Sequence, residues 1–176
     1  YTRKANGGWS TPFEVSQDPT KLAANPSISI DSLGNPTVVW ERDVSGRRDI
    51  FFSRNLYRET RTNWTTPVNI SNTANVNSNK PQIVTDGEGF SYVVWEESAS
   101  ATLPTSIFYT YQNNINSNTW STPLRISTGN LISRNPSLAY DYADYSIHAI
   151  WESNNQSSLY DIYHIKRNVI PPSKTT

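Results

Sequence analysis

The chain has 176 residues, enough for one domain with a packed core, and its 15 Lys and Arg balance 15 Asp and Glu. That neutrality excludes a phosphate-reading surface, and no apolar run approaches the ~20 residues that span a bilayer, so neither nucleic acid nor membrane insertion is expected. With no cysteine there is no disulfide, no zinc–thiolate site and no thiol nucleophile.

The chain opens on Tyr1 and contains no Met, as expected of a processed product or a piece of a longer chain. Trp9-Ser-Thr-Pro begins a short apolar-alternating stretch that ends at Ser16. Ser27-Ile-Ser-Ile30 reads as a strand, Asp31-Ser-Leu-Gly-Asn35 as a turn, and Thr37-Val-Val-Trp40 as a second strand. A polar loop from Arg42 to Arg48 leads to a third strand at Asp49-Ile-Phe-Phe-Ser53, and Trp64-Thr-Thr-Pro-Val-Asn-Ile70 makes a fourth. The chain then repeats itself through Gln82–Thr85, Tyr92–Trp95, Ser106–Tyr109 and Pro123–Ile126. A third round runs through Ser137–Tyr140, Ile147–Trp151 and Asp161–Ile165 and stops without a Trp-Ser-Thr-Pro strand.

Pro26, Pro81 and Pro136 recur every 55 residues, as do Asp31, Asp86 and Asp141, and all six tryptophans fall on two repeated positions. Four short antiparallel strands per unit, repeated radially, predict an all-β fold, a β-propeller of three four-stranded blades. Adjacent apolar pairs such as Val38-Val39 and Val93-Val94 fit blades packed on both faces. The strand missing from the third blade stands at the opposite end of the chain, as Trp9–Val15. Because propellers close with about four to eight blades, two chains exchanging that strand would make a six-bladed homodimer. The alternative is half of a longer propeller polypeptide. Residues 1–168 form the predicted propeller segment and 169–176 a Pro/Ser/Thr-rich tail.

On the pattern Pro-X-Ile-X-X-Asp, Val-Val-Trp-Glu, Asp-Ile-Phe-Phe-Ser and Trp-Ser-Thr-Pro, the chain resembles the sialidase-like β-propellers with bacterial neuraminidase repeats, from Trp9 to Lys166. The family's Asp-X-Gly turn between the third and fourth strands is reduced here to Thr62-Asn-Trp64 and Asn118-Thr-Trp120. The resemblance implies that a member acting on sialic acid would use three arginines, a Tyr/Glu pair and an acidic Asp. The arginines of this chain do not lie in register between repeats. No catalytic residue is therefore assigned, and a non-enzyme is expected.

The candidate ligand-binding residues are Arg42, Arg47 and Arg48 on the first repeat's loop, Arg134 before Pro136, and Glu41, Glu96 and Glu152 after the repeated Trp. Those glutamates either ring a channel mouth or cap neighbouring backbone amides, with the tryptophans filling the core between blades. Tyr142 and Tyr145 join them because exposed aromatics stack on sugar rings. No metal site is assigned, since Asp141-Tyr-Ala-Asp144 is a poor calcium loop, and no cofactor is expected. The expected role is a non-catalytic recognition or assembly module at the cell surface or outside the cell, for a glycan or a surface protein. A sialidase-type glycoside hydrolase and a purely structural propeller are the alternatives.

Overall fold

The computed structural model describes residues 4–5, 8–56, 62–98, 104–116, 118–154 and 159–169, all in strands, turns and loops with no helix. Three antiparallel sheets carry the three repeats. The first is β3 (Ala23–Ile30), β4 (Pro36–Val44), β5 (Arg47–Arg54) and β6 (Val68–Asn69), paired in that order. The second is β7 (Asn77–Thr85), β8 (Ser91–Ser98) and β9 (Ser106–Asn114), with β10 (Thr119–Trp120) and β11 (Leu124–Arg125) both on β9. The third is β12 (Ser133–Asp141), β13 (Ser146–Asn154) and β14 (Tyr160–Asn168). A separate hairpin pairs β1 (Lys4–Ala5) with β2 (Gly8–Trp9).

The fourth strand of the first and second repeats is broken rather than continuous. In the first sheet Trp64 forms an isolated bridge with Asn55, and pairing resumes at Val68; in the second, β10 ends at Trp120 and β11 starts at Leu124. Pro67 and Pro123 lie in the gaps, where a residue without an N–H cannot donate to the ladder. The tight turns after β3 and β7 close through Gly34 (φ 84°) and Gly89 (φ 93°). A Cβ on Gly89 would stand 2.8 Å from an Arg54 nitrogen, so glycine is required there twice over.

The sheets stack through alternate strand faces. Val39, Ile50 and Phe52 of the first sheet meet Ile83, Val93 and Trp95 of the second. Tyr92, Val94, Ile107 and Tyr109 on the other face of the second sheet meet Ile147, Ala149 and Trp151 of the third. The repeated tryptophans Trp40, Trp95 and Trp151 are all buried. Of the expected tail only Val169 is described; the rest lies outside the described residues.

Candidate functional site

At one end of the stack the three first strands each bulge ahead of a proline. Register slips between Ala24 and Ser27, Asn79 and Gln82, and Arg134 and Ser137. Asn25, Lys80 and Asn135 take left-handed backbone there, with φ of 47°, 49° and 53°. The region suits Asn and is uncommon for Lys, so the fold holds Lys80 in it. The holding group is a glutamate from the preceding repeat. Glu41 Oε1 accepts the Lys80 backbone N–H at 2.7 Å, and Glu96 Oε1 accepts that of Asn135 at 2.6 Å. Sheet is thereby latched to sheet, and a depression of about 330 Å³ opens between Asn25, Pro26, Lys80, Gln82 and Asn135.

The predicted arginine and glutamate residues gather at this end but are largely committed to one another. Glu41 is buried and also receives Asn25 Nδ2 at 2.6 Å and the Arg48 guanidinium. Arg42 pairs with Asp18 and lies over the Phe51 ring, 4.8 Å from its centroid. Arg47 Nε is 3.7 Å from Asp49. Arg134 Nε donates to Glu152 at 2.9 Å and covers the Tyr160 ring at 3.8 Å. Bonds from Asn135 and Arg134 hold the Glu152 carboxyl below its ordinary range. Among the described residues no three-arginine clamp forms. Among these cations Lys80 is the most exposed, and its half-exposed ammonium spans Glu96 (3.1 Å) and Asn135 Oδ1 (2.8 Å).

Tyr142 and Tyr145 fall at the opposite end, beside the turns, and share no site with the arginines. Tyr142 packs edge-on against Tyr140 at 4.7 Å and its hydroxyl donates to the Thr85 carbonyl at 3.3 Å. Tyr140 stacks in turn on Tyr92, and burial pushes its hydroxyl up to about 12. The repeated aspartates fasten these turns: Asp31 Oδ1 accepts from Leu33 and Asn35, Asp86 Oδ1 from Glu88 and Phe90, and Asp141 Oδ1 from Ala143.

Sequence reasoning passes over a buried carboxyl pair between the first two sheets. Burial pushes the Glu97 carboxyl up, against bonds from Trp95 Nε1 (3.0 Å) and Thr73 (3.1 Å), with Asp49 nearby adding repulsion. The doubled Glu96-Glu97 after Trp95 was the available signal, since strand alternation must turn one of the two inward. The two histidines, His148 and His164, stand on the neighbouring strands β13 and β14. The structure sets their ring nitrogens 2.9 Å apart. Asp141, Asp144 and His148 also offer ligand atoms within 4.8 Å of one another, but the Lys166 ammonium already sits on Asp144.

Comparison with known proteins bears on the fold. No protein-family model matches the chain, and no curated protein matches its sequence. Among solved structures, an endo-arabinase from Bacteroides thetaiotaomicron matches with a TM-score of 0.57 and 14% identity, over 94% of this chain. The match spans 64% of the endo-arabinase chain, so this chain corresponds to about two thirds of that protein's length. The expectation of a non-enzyme is corrected by this finding, because the neighbour sharing the fold is itself a glycoside hydrolase. Arginines out of register between repeats bear on a sialic-acid clamp alone, not on catalysis in general.

Proposed function

We propose that the three sheets are blades of a β-propeller of the carbohydrate-active kind, and that it engages a glycan at the end where Asn25, Lys80 and Asn135 converge. The observation that carries this reading is the repeated bulge, which turns polar groups from three successive sheets into one depression. An ammonium, carboxamides and the neighbouring carboxylates of Glu96 and Glu152 supply the mixed donors and acceptors that sugar hydroxyls need. Two likenesses support the class: the sialidase-type repeat pattern and the fold shared with an endo-arabinase. Arabinose polymers are therefore the first substrate class to try, with sialylated glycans second. Richness in Ser, Thr and Asn without Cys fits a protein at the cell surface or outside the cell.

Calorimetry with arabino-oligosaccharides and sialylated oligosaccharides, run beside a reducing-end assay, tests the proposal. We expect binding to one class, weakened tenfold or more by Lys80→Ala, which removes the ammonium while keeping the latched backbone N–H. A chain that binds neither class, or whose binding ignores Lys80→Ala, overturns the assignment.

A further inference from the structure

Positions sealed at both internal junctions of the stack lie open at its two ends. On the leading face of each sheet, Val39 and Val94 are 0% exposed, whereas the equivalent Ile150 of the third sheet is 44% exposed. Ile50 and Ile107 are 0% exposed, and their counterpart Ile162 is 70% exposed. On the trailing face, Ile83 is 5% exposed in the second sheet and its counterpart Ile28 in the first is 53% exposed. Each open face repeats the chemistry of a face that is already packed against the other kind.

The chain's own first segment fits the gap between them. Trp9-Ser10-Thr11-Pro12-Phe13-Glu14-Val15-Ser16 matches Trp64–Ser71 and Trp120–Ser127 residue for residue in type, yet belongs to none of the three sheets. In the first sheet Ile50 N–H donates to Ser71 Oγ at 2.9 Å, and Ile70 N–H to the Ile50 carbonyl at 2.8 Å. In the second, Ile107 N–H donates to Ser127 Oγ at 3.0 Å, and Ile126 N–H to the Ile107 carbonyl at 2.8 Å. The third sheet ends at β14, whose matching residue is Ile162. The segment also lies where a fourth strand of a preceding sheet would lie. Ile70 packs with Ile83, Val93 and Trp95, and Val15 faces their counterparts Ile28, Val38 and Trp40 across a cavity of about 380 Å³. Finally, Glu152 repeats the latching Glu41 and Glu96, and Asn25 repeats the latched Lys80 and Asn135.

We propose that a second copy of this chain covers both open faces, head to tail, closing six sheets into one ring. Each copy supplies Trp9–Ser16 as the fourth strand on the other's β14, with Ser16 Oγ on the Ile162 N–H and Glu152 latching the other copy's Asn25. This rests on reading the sheets as propeller blades, and it adds the partner. A ring of two closes when each copy of three sheets spans half a turn, so that the same heterologous contact is made at both junctions.

The intact chain is tested by native mass and by engineered cysteines. Phe52 pairs with Val68 and Tyr109 with Leu124, so Phe13 of one copy should pair with His164 of the other. The chain has no other cysteine to confuse the result. Phe13→Cys chains co-refolded with His164→Cys chains should oxidise to a covalent heterodimer, while neither variant cross-links alone. The uncross-linked protein at tens of micromolar should have twice the 19.9 kDa of one chain. Ile162→Arg should return that mass to a single chain with the far-ultraviolet circular dichroism unchanged. A single-chain or three-chain mass for the parent protein, no cross-link in the mixture, or a dimer indifferent to Ile162→Arg each overturns the proposal. A single chain that still binds glycan would sink this inference and leave the functional one standing.

Discussion

Asp31 and Asp86 occupy one position in successive repeats, and both fasten a turn through the same backbone bonds, yet their electrostatics run in opposite directions. For Asp31, burial pushes the carboxyl up, but the Asn35 bonds and the Arg54 guanidinium at 2.9 Å outweigh it and leave the group below its ordinary 3.8. In the second repeat the position of Arg54 is filled by Tyr111, as the pairings of Thr37 with Arg54 and Tyr92 with Tyr111 show. Asp86 then has the Tyr92 hydroxyl at 2.9 Å and, among the described residues, no ion pair, so burial prevails and its carboxyl stands above 3.8. The consequences for stability differ in sign. The Asp31 contribution is complete above the unfolded value and is lost as pH falls through the lower folded one. The Asp86 contribution is complete below the unfolded value and is lost as pH rises through the higher folded one. Asp31→Asn should therefore cost about 3 kcal/mol at pH 7 by stranding Arg54, and less at pH 3. Asp86→Asn should cost no more than about 1 kcal/mol at pH 7, and relatively more at pH 3. Urea unfolding of both variants at the two pH values measures the four numbers; parallel pH trends would refute the contrast.

At the scale of the strand, the latch between sheets is the element that makes one repeat depend on the next. Glu41 serves the Lys80 N–H, the Asn25 carboxamide and Arg48 together, while buried. Glu41→Ala leaves all three donors without their acceptor and should cost about 2–3 kcal/mol, whereas Glu41→Gln keeps an acceptor for Lys80 and should cost less than half of that. Equal losses for the two substitutions, read from urea midpoints at constant slope, would show that volume and not the hydrogen bond is at stake. The strands themselves were legible beforehand. β-branched and aromatic runs between Gly and Pro punctuation, written three times, show which strands form but not where they end: β3 starts at Ala23 rather than Ser27, β7 at Asn77 rather than Gln82, and the expected polar loop from Arg42 to Arg48 is strand except at Ser45 and Gly46. The capping role of the glutamates was legible as one of two readings, because a carboxylate after a core tryptophan has a neighbouring amide within reach. What periodicity does not carry is the bulge at Asn25, Lys80 and Asn135. It depends on a partner 39 residues along the chain for Lys80, and so does the grouping of polar residues around it. The separation of Tyr142 and Tyr145 from the arginines was missed for a related reason: strand direction decides which end a turn occupies, and a list of repeated residues has no direction.

Across the whole molecule, burial is graded from the centre outward. In β8 the residues Tyr92 to Trp95 are covered on both faces, because the second sheet has a neighbour on each side. In β14 most positions are exposed, and β3 shows the same on its trailing face. Cooperativity in a stack of this kind comes from the junctions, each sheet being stabilised chiefly by the one before and the one after it. Local opening should accordingly be cheapest at the two outer sheets and dearest in the middle. Amide exchange followed strand by strand should thus find β8 slowest at every protein concentration. The outer strands carry the information. With a second copy on both open faces, β14 and β3 become internal to a ring, so their protection should rise with concentration across the range where mass doubles, while β8 stays unchanged. The rise in β14 should be lost in Ile162→Arg, which places a charge on the leading face without touching a buried position. Protection of β14 that is already high at nanomolar concentration, or that ignores concentration altogether, would mean that the junction is not made by a second chain.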